Sequence, residues 1–190
     1  MAVEVYLFDE AAKLNLNKFD LGGKGYGLVE MTKIGMPVPP GIVITTHMCN
    51  EFFEKGKKIW PELRQAILDK INILQQRTGK KFNDENNPLL VSVRSGAAFS
   101  MPGMMDTVLN LGINDKIVQV LAKKTGDERF AYDTYRRFIQ LFGKIVLGID
   151  GAKFDAVLDK VKEEKGAKTD LEVNAEGWKE VVERYKKLVK

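Results

Sequence analysis

The strongest constraint on the fold is a change of pattern near residue 113. Before it, short β-branched runs alternate with breaks rich in glycine and proline; after it, the chain reads as helices only. In the first part, Val3 to Phe8 alternates well enough for a first strand. Gly22-Gly23-Lys24-Gly25 then interrupts. Leu28, Val29, Met31 and Ile34 follow at helical spacing, with Gly35 as the stop. Pro37, Pro39 and Pro40 forbid a helix. Ile42-Val43-Ile44-Thr45 predicts a buried strand, and Thr46 predicts the cap of a short helix through about Glu54. Pro61 suits the first turn of an amphipathic helix carrying Leu63, Ile67, Ile71 and Leu74, which Gly79 ends. Leu89 to Val93 reads as a strand, Arg94 to Met105 as a loop, and Thr107 to Leu111 as another strand. Helices are expected over Asp115–Lys124, Phe130–Val146, Lys153–Glu164 and Glu176–Lys190. In the second of these, Ala131, Tyr135, Phe138, Phe142 and Ile145 share one side. A mixed first part followed by helices predicts an α+β fold rather than a regularly alternating one. The expected division is 1–112 and 113–190. The last helix meets Lys190 with no stop signal, so it is expected either to fray there or to belong to something longer.

Composition narrows the partners. With 44% hydrophobic and 29% charged residues the chain can bury a core. The net charge of +4 is compatible with an anionic partner. However, the lysines are interleaved with glutamates, as in Lys160, Glu163, Glu164 and Lys165, which describes a solvated helix face. No RNA-module aromatic motif or zinc-finger spacing is present, so nucleic acid is not expected as a partner. No apolar run approaches the roughly 20 residues of a membrane helix, and the N-terminus lacks a signal-peptide pattern. A cytoplasmic location is the expectation. The single cysteine, Cys49, reads as a buried structural thiol. His47, two residues away, cannot share its helix face and reads as a satisfied surface or core histidine.

Four segments carry chemistry. In Gly22-Gly23-Lys24-Gly25-Tyr26-Gly27, glycines let backbone amides approach an anion, a helix start follows, and Lys24 adds a mobile charge. The spacing is neither that of the Walker A loop nor that of the dinucleotide fingerprint, and a plain strand–turn–helix junction fits equally well. In Val91-Ser92-Val93-Arg94-Ser95-Gly96, an arginine follows an apolar strand, where its charge must be met. Its planar fork matches phosphate oxygens, with Ser95 and Gly96 supplying a hydroxyl and an open backbone; pairing of Arg94 with Asp106 is the alternative. Ser100 to Thr107, with Met101, Gly103, Met104, Asp106 and Thr107, reads either as an adaptable lid that excludes water or as a loop filling a gap in the core. In Phe130 to Phe138, Arg136 and Arg137 point about 100° apart, so at most one faces a site. Arg137 is the candidate, and an exposed or salt-bridged pair is the alternative.

In order along the chain, these segments resemble the phosphoenolpyruvate-forming dikinases. The resemblance begins with Gly22-Gly23-Lys24-Gly25, Glu30-Met31-Thr32 and Gly35-Met36-Pro37-Val38-Pro39-Pro40-Gly41. It continues through Pro88 to Ala97. Ser100 to Gly112, with its paired Met104-Met105, is similar to the pyruvate, phosphate dikinase family rather than to phosphoenolpyruvate synthase. Arg129 to Asp133 and Tyr135 to Phe138 agree. The resemblance implies part of an ATP-grasp-like nucleotide-binding domain, with a small mixed sheet and helices, followed by a helical segment. It also implies conversion of ATP, phosphate and pyruvate to AMP, pyrophosphate and phosphoenolpyruvate. Lys24, Arg94 and the Gly103 loop match the family's triphosphate-binding positions. The implied cofactors are ATP and Mg2+, with the magnesium ligands outside this chain. The implied partners are a phosphohistidine domain, also outside the chain, and a second copy in a homodimer of the full-length enzyme. No catalytic residue is expected within these 190 residues, and the chain alone is expected to be inactive. The competing expectations are a non-catalytic nucleotide-binding or interaction module, or the matching part of phosphoenolpyruvate synthase.

Overall fold

The computed structural model describes residues 2–96 and 106–190. They form two compact units, one of residues up to Lys80 together with Arg94–Gly96, the other of Lys81–Val93 and Asp106–Lys190. Helices and two separate two-stranded pairs make up the α+β fold.

In the first unit, β1 (Val5–Leu7) runs antiparallel to β2 (Ile42–Ile44), with Tyr6 opposite Val43. Residues alternate across a strand, so one face is buried and the other is wet. Val5, Leu7 and Val43 are buried, and Ile44 is 44% exposed. The expectation that 42–45 is buried throughout is corrected by this alternation: a two-stranded ribbon covers only one face. The chain turns directly from β1 into α1 (Phe8–Ala11), and the Leu7 amide donates to Glu10 Oε2 at 2.8 Å. Glu10 also accepts from Lys70 Nζ at 2.6 Å, and Arg77 pairs with Asp9 at 2.7 Å. These pairs tie α1 to α4 (Pro61–Thr78), which starts at its proline and ends at Gly79 with φ 65°. Gly41 holds a close approach: a β-carbon there would lie 2.3 Å from Phe8 Cε2. Gly41→Ala is therefore expected to destabilise this unit by about 1–3 kcal/mol, measured by urea denaturation.

α2 spans Lys18–Lys33, earlier than the glycine run alone predicts. Asn17 caps it, its Oδ1 accepting from the Phe19 amide at 2.7 Å while Asp20 accepts from the Asn17 amide at 2.8 Å. The helix then breaks at Gly22, whose φ 69° and ψ 158° suit glycine alone, and resumes. The glycine run is thus a kink within a helix. α3 (Thr46–Glu54) is preceded by Thr45 at the cap position, with no side-chain cap bond. Thr46 is not the cap: its hydroxyl donates to the Phe19 carbonyl at 2.6 Å. Met48 is the residue of this helix turned into the core, beside Val5 and Leu63. Cys49, one position on, is exposed, which corrects the expected buried thiol: adjacent helical residues lie about 100° apart.

In the second unit, β3 (Val91–Arg94) pairs with β4 (Thr107–Leu111); Arg94 itself belongs to the first unit. Four helices follow: α5 (Asp115–Thr125), α6 (Glu128–Ile145), α7 (Gly151–Lys165) and α8 (Ala175–Leu188). Asn114, Asp127, Asp150 and Asn174 cap them through side-chain oxygens. Their core includes Ile117, Phe154, Val161, Trp178, Val181 and Tyr185, with the Phe154 and Tyr185 rings edge to face at 5.0 Å. On α6 the buried residues are Ala131, Tyr132, Thr134, Tyr135, Arg136, Ile139 and Gly143. Phe138, Phe142 and Ile145 are only half-buried. The buried face is therefore rotated toward Tyr132 and Ile139 from the side expected.

Candidate functional site

Two of the predicted segments meet in the first unit. A β-carbon built on Gly96 would stand 3.7 Å from Gly22 Cα and 3.8 Å from the Leu21 carbonyl oxygen. The backbone after Arg94 thus passes close enough to the break in α2 that an added methyl group would reach ordinary van der Waals contact with it. Lys24 lies two residues past that break and is half-buried; Arg94, Ser95 and Gly96 are exposed. Among the described residues, neither Lys24 nor Arg94 has an ion-pair or hydrogen-bond partner, so both charges are open to an anion. Two glycine-bearing backbone segments with two cations nearby in sequence suit a polyanion such as a phosphate chain.

Burial does not drive the role of Arg94. Val93 is 50% exposed and β3 is largely wet, so the guanidinium is not forced to find a partner in a core. The sequence reads 89–93 as an apolar strand; the strand runs over Val91–Arg94, and of 89–93 only Leu89 is buried. Asp106 is exposed, and Thr107, the first residue of β4, is half-buried. Met101, Gly103 and Met104 lie outside the described residues.

The two arginines of α6 part company. Arg136 is buried: its Nε donates to Asp133 at 2.8 Å, an outer nitrogen to Asp170 at 3.0 Å, and its guanidinium lies 4.5 Å over the Trp178 ring. Arg137 is exposed and pairs with Asp133 at 3.0 Å. The inward arginine is structural, and Arg137 is the one that solvent reaches. Sequence reasoning reaches Thr46 only as a helix cap, and does not reach the Leu21 carbonyl, although both lie at the break in α2. No local signal could have found them, because Gly96 and Thr46 reach it from distant positions in the chain.

His47 is exposed, with Nδ1 3.1 Å from Glu4 Oε2. Among the described residues no group of three or more His, Cys, Asp or Glu side chains is placed to hold a metal ion. Among the same residues no helix is long and apolar enough to cross a membrane.

A sequence model of the family described as "Pyruvate phosphate dikinase, AMP/ATP-binding domain" matches residues 19–76, a stretch that contains Lys24. The chain is 53% identical over 181 residues to a pyruvate, phosphate dikinase of Entamoeba histolytica, covering 95% of this chain and 20% of that protein. It is 50% identical over 192 residues to that of Clostridium symbiosum, covering 100% and 22%. With the chloroplastic protein of Mesembryanthemum crystallinum it shares 53% identity over 166 residues, 87% and 17%. The chain spans about a fifth of the length of these relatives.

Proposed function

We propose, given that this chain belongs to the pyruvate, phosphate dikinase family over the fifth of their length that it spans, that it forms one wall of an ATP site. Lys24, Arg94, Ser95 and Gly96 hold the triphosphate, and the resemblance adds Met101, Gly103, Met104, Asp106 and Thr107 as nucleotide-binding residues. Arg137 adds a solvent-facing charge. The observation that carries this reading is the approach of Gly96 to Gly22, which brings the backbone beside Arg94 to the break beside Lys24. Developing negative charge on the phosphates is the chief electrostatic demand of phosphoryl transfer, and fixed cations with open backbone amides answer it. In the full enzyme the phosphoryl group passes to a histidine on a domain outside this chain, magnesium ligands lie outside it too, and the reaction yields AMP, pyrophosphate and phosphoenolpyruvate from ATP, phosphate and pyruvate. A cytoplasmic location and a homodimer of the full-length enzyme complete the proposal.

Calorimetric titration with Mg-ATP tests the site. The wild-type chain is expected to bind weakly, and Arg94→Ala to lose about 1.5–3 kcal/mol of that binding, roughly tenfold or more in affinity. Equal binding by both chains removes Arg94 from the site. Binding by neither removes the ATP site from this chain.

A further inference from the structure

The break at Gly22 leaves a carbonyl and an amide to be accounted for. In an unbroken helix the Gly23 amide would donate to the Phe19 carbonyl, four residues back. A residue at φ 69° and ψ 158° between them turns the Gly23 amide away, so that bond cannot form across the kink. The Phe19 carbonyl takes the hydroxyl of Thr46 in its place, at 2.6 Å, from the first turn of α3. The neighbouring side chains reinforce this junction. Thr45 Oγ1 donates to Glu4 Oε2 at 2.7 Å, and His47 spans Glu4 at 3.1 Å and Asp20 at 3.8 Å. At its other end the same turn of α2 is closed by the reciprocal bonds of Asn17 and Asp20.

We infer that Thr46 is a positioning residue for the phosphate-binding backbone: by satisfying the Phe19 carbonyl that the break releases, it stabilises the break of α2 at Gly22, which leaves the Gly23 amide for a phosphate oxygen. The inference rests on the ATP-site reading above. Thr46 itself touches no phosphate; it acts through the turn it holds. A carbonyl released by a helix break costs stability unless another donor meets it, so the Thr46 hydroxyl favours the broken form, and an uncommitted amide at a helix start is the group an anion needs.

The test compares wild type, Thr46→Val, which keeps the shape and removes the donor, and Thr46→Ser, which restores the donor. Each is titrated with Mg-ATP, its thermal unfolding is recorded, and exchange of the Gly23 amide is followed by NMR. Thr46→Val is expected to bind Mg-ATP about fivefold to tenfold more weakly, and Thr46→Ser to stay within about twofold of wild type. In Thr46→Val the Gly23 amide is expected to exchange more slowly, because it regains the released Phe19 carbonyl. A merely structural role predicts the reverse: faster exchange with a lower melting temperature, and that result overturns the inference. Wild-type affinity in Thr46→Val, with wild type binding, overturns it alone and leaves the ATP site standing. A wild-type chain that binds no Mg-ATP overturns the ATP reading and this inference together.

Discussion

Trp178→Ala is expected to destabilise the helical unit by about 3–5 kcal/mol, the usual cost of removing a large aromatic from a packed core. Trp178 is fully buried among Phe154, Val161, Val181 and Tyr185. Its ring also carries the Arg136 guanidinium at 4.5 Å, so alanine leaves both a cavity and a charge without its aromatic face. Trp178→Phe separates the contributions. Among the described residues, the indole Nε1 is the buried side-chain polar atom with no hydrogen-bond partner. An unsatisfied buried donor is itself a penalty of about 1–3 kcal/mol, and phenylalanine removes it while keeping most of the ring. Trp178→Phe is therefore expected to cost less than about 1.5 kcal/mol, well below alanine. Urea denaturation followed by circular dichroism measures both; equal losses in the two variants would mean that the N–H is satisfied in solution.

Arg136→Ala is expected to cost about 2–3 kcal/mol, below the figure for a fully enclosed pair. Arg136 is buried, but 41% of the Asp170 side chain meets solvent, and Lys162 also pairs with that carboxylate. Removing the guanidinium leaves Asp133 with Arg137 and Asp170 with Lys162, so neither carboxylate is stranded. What is lost is one of two arginine links between α6 and the turn at Asp170–Glu172. Arg129 also grips this turn, donating to the carbonyls of Val173 at 2.8 Å and Asp170 at 2.7 Å.

The same pair sets an acid limit. Burial pushes the Asp170 carboxyl up, but its bond from Lys162 and the charge of Arg136 outweigh this and hold it below its ordinary value of 3.8. Asp115 is likewise held low, chiefly by its bond from Lys186. A carboxyl with a depressed folded-state value contributes stability that is fully present above its unfolded value. That stability is lost as pH falls through the folded one. The helical unit is expected to keep a constant melting temperature down to about pH 4 and to lose stability below it, with a shallower acid slope in Arg136→Ala. An unchanged slope in the variant would show that Arg136 does not lower the Asp170 value.

Local chemistry sufficed for the order of elements. Pro61 at the start of α4 and Gly79 past its end, the proline block before β2, and the four terminal helices all follow from backbone preferences that need no partner. The family was legible for the same reason, since its motifs are runs of adjacent residues such as Gly22 to Gly25. Exposure was not. Ile44 and Cys49 are apolar or weakly polar, yet each faces solvent because the ribbon and α3 have one covered side. Arg136 and Arg137 are identical neighbours, and only the placement of Asp170 and Trp178 makes one internal.

The glycine run shows the division most clearly. The sequence by itself determined that residues 22–25 could depart from ordinary backbone geometry, because glycine alone tolerates φ 69° together with ψ 158°. Tertiary structure decided that the departure is a break inside a helix begun at Lys18, that Thr46 takes the carbonyl it releases, and that Gly96 lies against it. A permissive residue permits many conformations, and the choice among them belongs to contacts with residues 24 and 74 positions further along the chain.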